Sequence, residues 1–145
     1  MGVAARAIVV DGQRLLVMHR NKEGSEYFTL VGGRVTDEEN VTQGLIREVK
    51  EETGLTITRA SLVFVEKHPA PYNEQYIYLC EVVDTNLAMQ DDAEEAFMNR
   101  IGVNMHTPMW VEVEAFATLP FRTPQLQAAI LKALQEGWPS QPATL

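Results

Sequence analysis

Glu48, Glu51 and Glu52 stand at i, i+3 and i+4 within one short acidic run. On an α-helix that spacing places all three carboxylates on one face, about one turn apart. Like charges so close together destabilise an isolated helix, so a positive partner has to offset them. Hard divalent cations such as Mg²⁺ suit that role, because they prefer carboxylate oxygens. A metal ion held there acidifies bound water and neutralises negative charge developing on reacting oxygens. The bland alternative is a solvated acidic helix closed by Gly54.

The pattern extends beyond these three residues. Gly33 is followed by five residues and Glu39, then by seven residues and Arg47-Glu48-Val49-Lys50-Glu51-Glu52-Thr53-Gly54-Leu55. This stretch resembles the signature of the Nudix hydrolases, Gly-x5-Glu-x7-Arg-Glu-U-x-Glu-Glu-x-Gly-U, where U is a bulky aliphatic residue. Every fixed position is met. With each polar or glycine position matched by chance at roughly 5–7%, a full match has odds on the order of one in a million or less. The resemblance is highly specific over residues 33–55 and softer over about 3–136.

The resemblance implies an α+β fold, an α/β/α sandwich with a mixed β-sheet between helices. It implies that Glu48, Glu51 and Glu52 are ligands of Mg²⁺ or Mn²⁺, with the Gly33 carbonyl as a further ligand. Arg47 is expected to pair with Glu51 and fix a carboxylate's orientation. Glu39, just before the helix, is expected to support the structure by bonding Arg47 or favouring the helix dipole. The general base is a box glutamate, Glu52 or Glu48, or a later loop acid, with Glu95 and its neighbour Glu94 as candidates. For substrate phosphates, Arg20 and Arg34 are the leading contacts and Lys22 a weaker one, since Arg presents a fork suited to phosphate oxygens. Tyr27, Phe28, Tyr72 and Trp110 are candidates to stack on a base, with plain core packing as the alternative. His68 is a weaker substrate candidate. The chain departs from a common form of the family in having Val31 where many members have Pro.

The implied reaction is hydrolysis of the pyrophosphate linkage in a nucleoside diphosphate joined to another group. A MutT-like nucleoside triphosphate pyrophosphohydrolase is the first expectation. An ADP-ribose pyrophosphatase is the second; Pro71 lies sixteen residues after Leu55, as in that branch. A catalytically silent ligand-sensing domain is the third, disfavoured because every box glutamate is kept. Many relatives are dimers, so a homodimer is one expectation.

Composition agrees with this frame. The chain has 145 residues, 46% hydrophobic and 22% charged, which fits one domain with one core. Its net charge of −8 argues against a nucleic-acid polymer as partner. The single cysteine, Cys80, excludes an internal disulfide framework and reads as an inert core thiol in a reducing compartment. No signal sequence or membrane-length apolar run occurs, so a cytoplasmic protein is expected.

The elements that position the box can be read from pattern. Residues 3–10 read as a buried strand, Asp11-Gly12 as a hairpin turn and residues 14–20 as the return strand. A loop over 21–26 and a short strand over 27–30 follow. Asn40 and Gln43 form a capping-box pair, so a helix is predicted over about 41–53, with Val41, Leu45, Ile46 and Val49 as its apolar stripe and Gly54 as its cap. Gly44 inside it points to close packing. Strands are predicted over 62–65, 75–83 and 109–113. Residues 84–104 are irregular, with room for a short helix. Pro124 opens a second helix whose stripe is Leu126, Ile130 and Leu134. The domain is expected to span 1–138, with 139–145 a loose tail.

Overall fold

The computed structural model describes residues 2–67, 72–88 and 104–145. Strands β1 (Val3–Ile8), β5 (Val31–Arg34), β6 (Ile57–Lys67), β7 (Glu74–Val82) and β9 (Ala143–Thr144) form a sheet in the order β5-β1-β7-β6-β9. It is mixed: β1 runs parallel to β7 and antiparallel to β5. Strands β2 (Val10–Asp11), β3 (Arg14–Lys22), β4 (Ser25–Thr29) and β8 (Asn104–Glu112) form a second, antiparallel sheet. The helices are α1 (Val41–Thr53), α2 (Val113–Phe116) and α3 (Pro124–Glu136).

Strand alternation divides the core in two. Leu15 and Val17 join Ile8, Phe28, Phe64, Ile77 and Phe116 in a cluster capped by Leu126, Ile130 and Ala133 of α3. Leu16 and Met18 join Ala5, Ala7, Val31 and Cys80 in a second cluster, capped by Leu45 and Val49 of α1. The sheets are thus buried on both faces between helices, the layered α+β arrangement expected. This explains the apolar reading of β1, since a strand covered on both sides has no solvent face.

Several local expectations change. Ile46 is 41% exposed, so the inward stripe of α1 narrows to Leu45 and Val49, with Val41 partly buried against the same cluster. Strand β6 starts five residues earlier than predicted, at Ile57, because its first half carries Thr58, Arg59 and Ser61 and lacks an apolar signal. Strand β8 starts at Asn104 for the same reason: its polar first half is held by pairing with β3. Val113 opens the short α2 instead of ending a strand. Residues 21–26 are mostly strand, in a β3–β4 hairpin turning at Glu23-Gly24. The end of the chain is tied down: Ala143 and Thr144 pair in parallel with Phe64 and Val65, and the Trp138 and Phe64 rings lie 6.4 Å apart. Among the described residues no helix is long and apolar enough to cross a membrane.

Candidate active site

Helix α1 is held at both ends by polar groups. Asn40 Oδ1 accepts from the Gln43 N–H at 2.8 Å, and Gln43 Oε1 accepts from the Asn40 N–H at 2.8 Å. Two of the unpaired donors at the helix start are thereby satisfied. At the other end Gly54 takes φ 77° and its N–H donates to the Lys50 carbonyl. Gly44 allows close approach: a Cβ there would lie 2.9 Å from Val35 Cγ2, just beyond β5.

The glycine pair after Val31 sets the carboxylates. At Gly32 φ is 129°, and a Cβ would stand 2.1 Å from the Ala5 carbonyl oxygen, so only glycine permits this β1–β5 approach. The Gly32 N–H donates to Glu52 Oε1 at 2.7 Å. At Gly33 a Cβ would stand 2.6 Å from Glu48 Oε2. The Glu48 carboxylate therefore occupies the space a side chain would fill. Glu52 is 4% exposed.

Arg47 holds the acidic face together. Its Nη2 and Nε donate to the two Glu39 oxygens at 2.7 and 3.0 Å. Its Nη1 reaches Glu48 at 3.1 Å and Glu51 at 3.3 Å. Glu39 also accepts from the Thr36 N–H at 2.9 Å. These bonds, that from Arg47 foremost, hold the Glu39 carboxyl down to about 2, and the same pairing raises the Arg47 pKa. The charge that offsets the glutamates' repulsion is thus supplied in part by a guanidinium within the motif. Glu39, more than Glu51, is its principal partner.

Glu48, Glu52, Gly33 and Arg34 line a cleft of about 330 Å³, with Arg20 and His106 on other walls. A second compartment of about 500 Å³ adjoins it, and Arg6, Arg20, Thr29 and Tyr72 belong to both. Arg20 thus stands between them. Its Nε is buried without a hydrogen-bond partner among the described residues, and burial is the main cause lowering its pKa. Glu51 lines neither compartment and stays with Arg47 on the helix face. Among the described residues no three His, Cys, Asp or Glu side chains converge as a closed metal cage. Mg²⁺ does not require one: it keeps several waters and takes one or two carboxylates together with substrate phosphates. Glu48 and Glu52, both oxygen donors packed against the glycine turn, fit such an ion.

The sequence reading missed Arg6, whose Nη1 donates to the Gly32 carbonyl at 2.8 Å and whose Nε donates to Gln75 Oε1 at 3.0 Å. Gln75 Nε2 in turn donates to buried Glu66 at 2.6 Å. The signal was present: a lone arginine inside an apolar strand. Arg122, on the wall of the larger compartment, gave no such signal. Of the aromatic candidates, Tyr27 and Tyr72 line the compartments, whereas Phe28 is core. Trp110 donates to the Thr85 carbonyl and lines neither compartment. Glu94, Glu95, His68 and Pro71 lie outside the described residues. Cys80 is buried and its thiol is pushed up to about 12, in keeping with an inert core role.

The fold and this site define a class. The family model for the NUDIX domain matches residues 1–134, and the chain belongs to that family, the Nudix hydrolases. The chain is 33% identical over 100 residues to an ADP-ribose pyrophosphatase of Methanocaldococcus jannaschii, covering 62% of this chain and 59% of that protein. The two curated relatives it matches are longer proteins, of which it spans 59% and 39%. Among solved structures, an ADP-ribose pyrophosphatase from Streptococcus suis superposes with TM-score 0.66 at 18% identity, over 99% of this chain and 98% of that one. A MutT NUDIX hydrolase from Burkholderia pseudomallei superposes with TM-score 0.60 at 22% identity, over 78% and 84%. At those identities the two structures speak to fold alone.

Proposed function

We propose that this protein is a divalent-metal-dependent pyrophosphohydrolase acting on a nucleoside diphosphate linked to another group. The observation that carries this reading is the cleft in which Glu48 and Glu52 meet the Gly32-Gly33 turn beside Arg20 and Arg34. Mg²⁺ or Mn²⁺ bound there would acidify water and neutralise charge on the phosphate oxygens. The chain's own residues do the rest. Glu48 and Glu52 would hold the ion, and one of them would take the proton from the attacking water. The Gly32 N–H and the Arg6 bond to the Gly32 carbonyl keep the turn and the Glu52 carboxylate in one geometry. Arg20 and Arg34 bind phosphate oxygens and orient the linkage.

ADP-ribose is the substrate to test first, because the relative at 33% identity is named for that activity. Nucleoside triphosphates come second, as the MutT-like alternative. Phosphate-product release with Mg²⁺ over ADP-ribose, nucleotide sugars, dinucleoside polyphosphates and nucleoside triphosphates, for wild type and Glu52→Gln, decides it. Turnover that falls at least about 100-fold in the variant supports the reading. Turnover unchanged by Glu52→Gln would sink this assignment of the site, and no turnover with intact metal binding would sink the hydrolase reading and favour a ligand-sensing domain.

A further inference from the structure

The larger compartment carries more positive charge than a cleaved linkage in its neighbour accounts for. Among the described residues its wall contains Arg6, Arg20, Lys22 and Arg122 against one acid, Glu23. This surplus stands in a chain whose net charge is −8. Arg6 is committed to Gln75 and the Gly32 carbonyl. Arg20 and Arg122 both approach the Tyr27 ring, at 5.4 and 4.9 Å from its centroid, and Arg122 Nη1 donates to the Tyr27 hydroxyl at 3.2 Å. Two guanidiniums gathered on one ring repel each other, and Arg20 also keeps a buried Nε–H without a partner among the described residues. An anion between them would relieve the repulsion.

A stacked base explains this wall less well. The Tyr27 ring is engaged by two guanidiniums. The Arg6 guanidinium lies 6.0 Å from the Tyr72 ring centroid. Phe121 is 7% exposed and packed edge-on against Phe116. Each described aromatic ring of the wall is already in use.

We propose that this compartment is an anion subsite for a phosphate monoester carried on the substrate remote from the scissile linkage, held by Arg20, Lys22 and Arg122. The proposal rests on the pyrophosphohydrolase reading for the neighbouring cleft. Arg20, shared by both compartments, would touch both anionic groups. Substrates would be nucleoside diphosphate derivatives bearing an extra phosphate, on a ribose hydroxyl for example.

Binding and turnover separate the two readings. Calorimetric titration with Mg²⁺ present would compare AMP with adenosine 2′,5′-bisphosphate and adenosine 3′,5′-bisphosphate. At least one bisphosphate should bind about tenfold or more tightly than AMP, as a charge-assisted contact gives. Arg122→Gln and Lys22→Gln should each reduce that ratio, and Arg122→Lys should retain most of it. Equal affinities for all three nucleotides overturn the subsite, as does a preference both Gln variants leave intact. Circular dichroism of each variant checks that it is folded, and the wild-type comparison needs no variant. Hydrolysis of ADP-ribose and its 2′-phosphate is assayed in parallel. A bisphosphate preference without hydrolysis of any diphosphate would overturn the hydrolase reading and leave the subsite standing. Hydrolysis without the preference would do the reverse.

Discussion

Helices α1 and α3 are each 13 residues long and cover opposite faces of the sheets, yet they are held by different physics. Helix α1 is pinned by directional polar contacts: a capping box at its start, a left-handed glycine at its end, and bonds from Arg47 and Gly32 to its carboxylates. Its buried apolar side chains are only Leu45 and Val49. Helix α3 starts at Pro124 after Thr123, which makes no side-chain cap bond, and buries Leu126, Ile130 and Ala133 in the cluster containing Phe116 and Phe121. Apolar burial is strong and non-directional, so it secures a helix without fixing its rotation closely. Hydrogen bonds and close glycine contacts fix position to within fractions of an ångström, which a catalytic face needs.

The contrast can be broken from either side. Glu52→Gln on α1 should lower turnover at least about 100-fold, while the thermal midpoint moves little because a Gln carbonyl still accepts from the Gly32 N–H. Ile130→Ala on α3 should do the opposite, costing about 2–5 kcal/mol in denaturant unfolding with turnover per folded molecule nearly unchanged. A large stability loss in the first variant, or a large activity loss in folded protein of the second, would erase the division.

A finer test concerns the helix starts. Asn40→Ala should cost about 1 kcal/mol, because it removes the bond to the Gln43 N–H. Thr123→Ala should change stability far less, since there is no cap bond to lose. Equal effects in chemical denaturation would mean that the polar pinning of α1 is not its distinguishing support.

The smallest effect expected is on acid stability. The Glu39 carboxyl is depressed to about 2 in the folded protein, so its contribution is present above the ordinary carboxylate pKa and lost as pH falls toward 2. Glu39→Gln should therefore be less stable than wild type near neutrality, and the gap in thermal midpoint should close as pH drops through that window. A gap that stays constant with pH would show that the Glu39 charge is not what binds Arg47.

Legibility followed the range of the interactions. The bounds of α1, its capping pair and its glycine cap were readable because they depend on residues three or four apart. The apolar strands and the Pro124 helix were readable from periodicity. The polar halves of β6 and β8 were hidden, because pairing with a distant strand stabilises them without an apolar signature. The short β9 was hidden for the same reason.

By itself the sequence determined the family signature, which glutamates share a helix face, and where that helix begins and ends, because all of these are local. Only the tertiary structure decided which groups meet. Arg6 reaches Gln75 across 69 positions, and Arg20 stands between two compartments. Those contacts form when strands far apart in sequence are paired and the glycine turn brings β5 against α1. No short-range pattern encodes them.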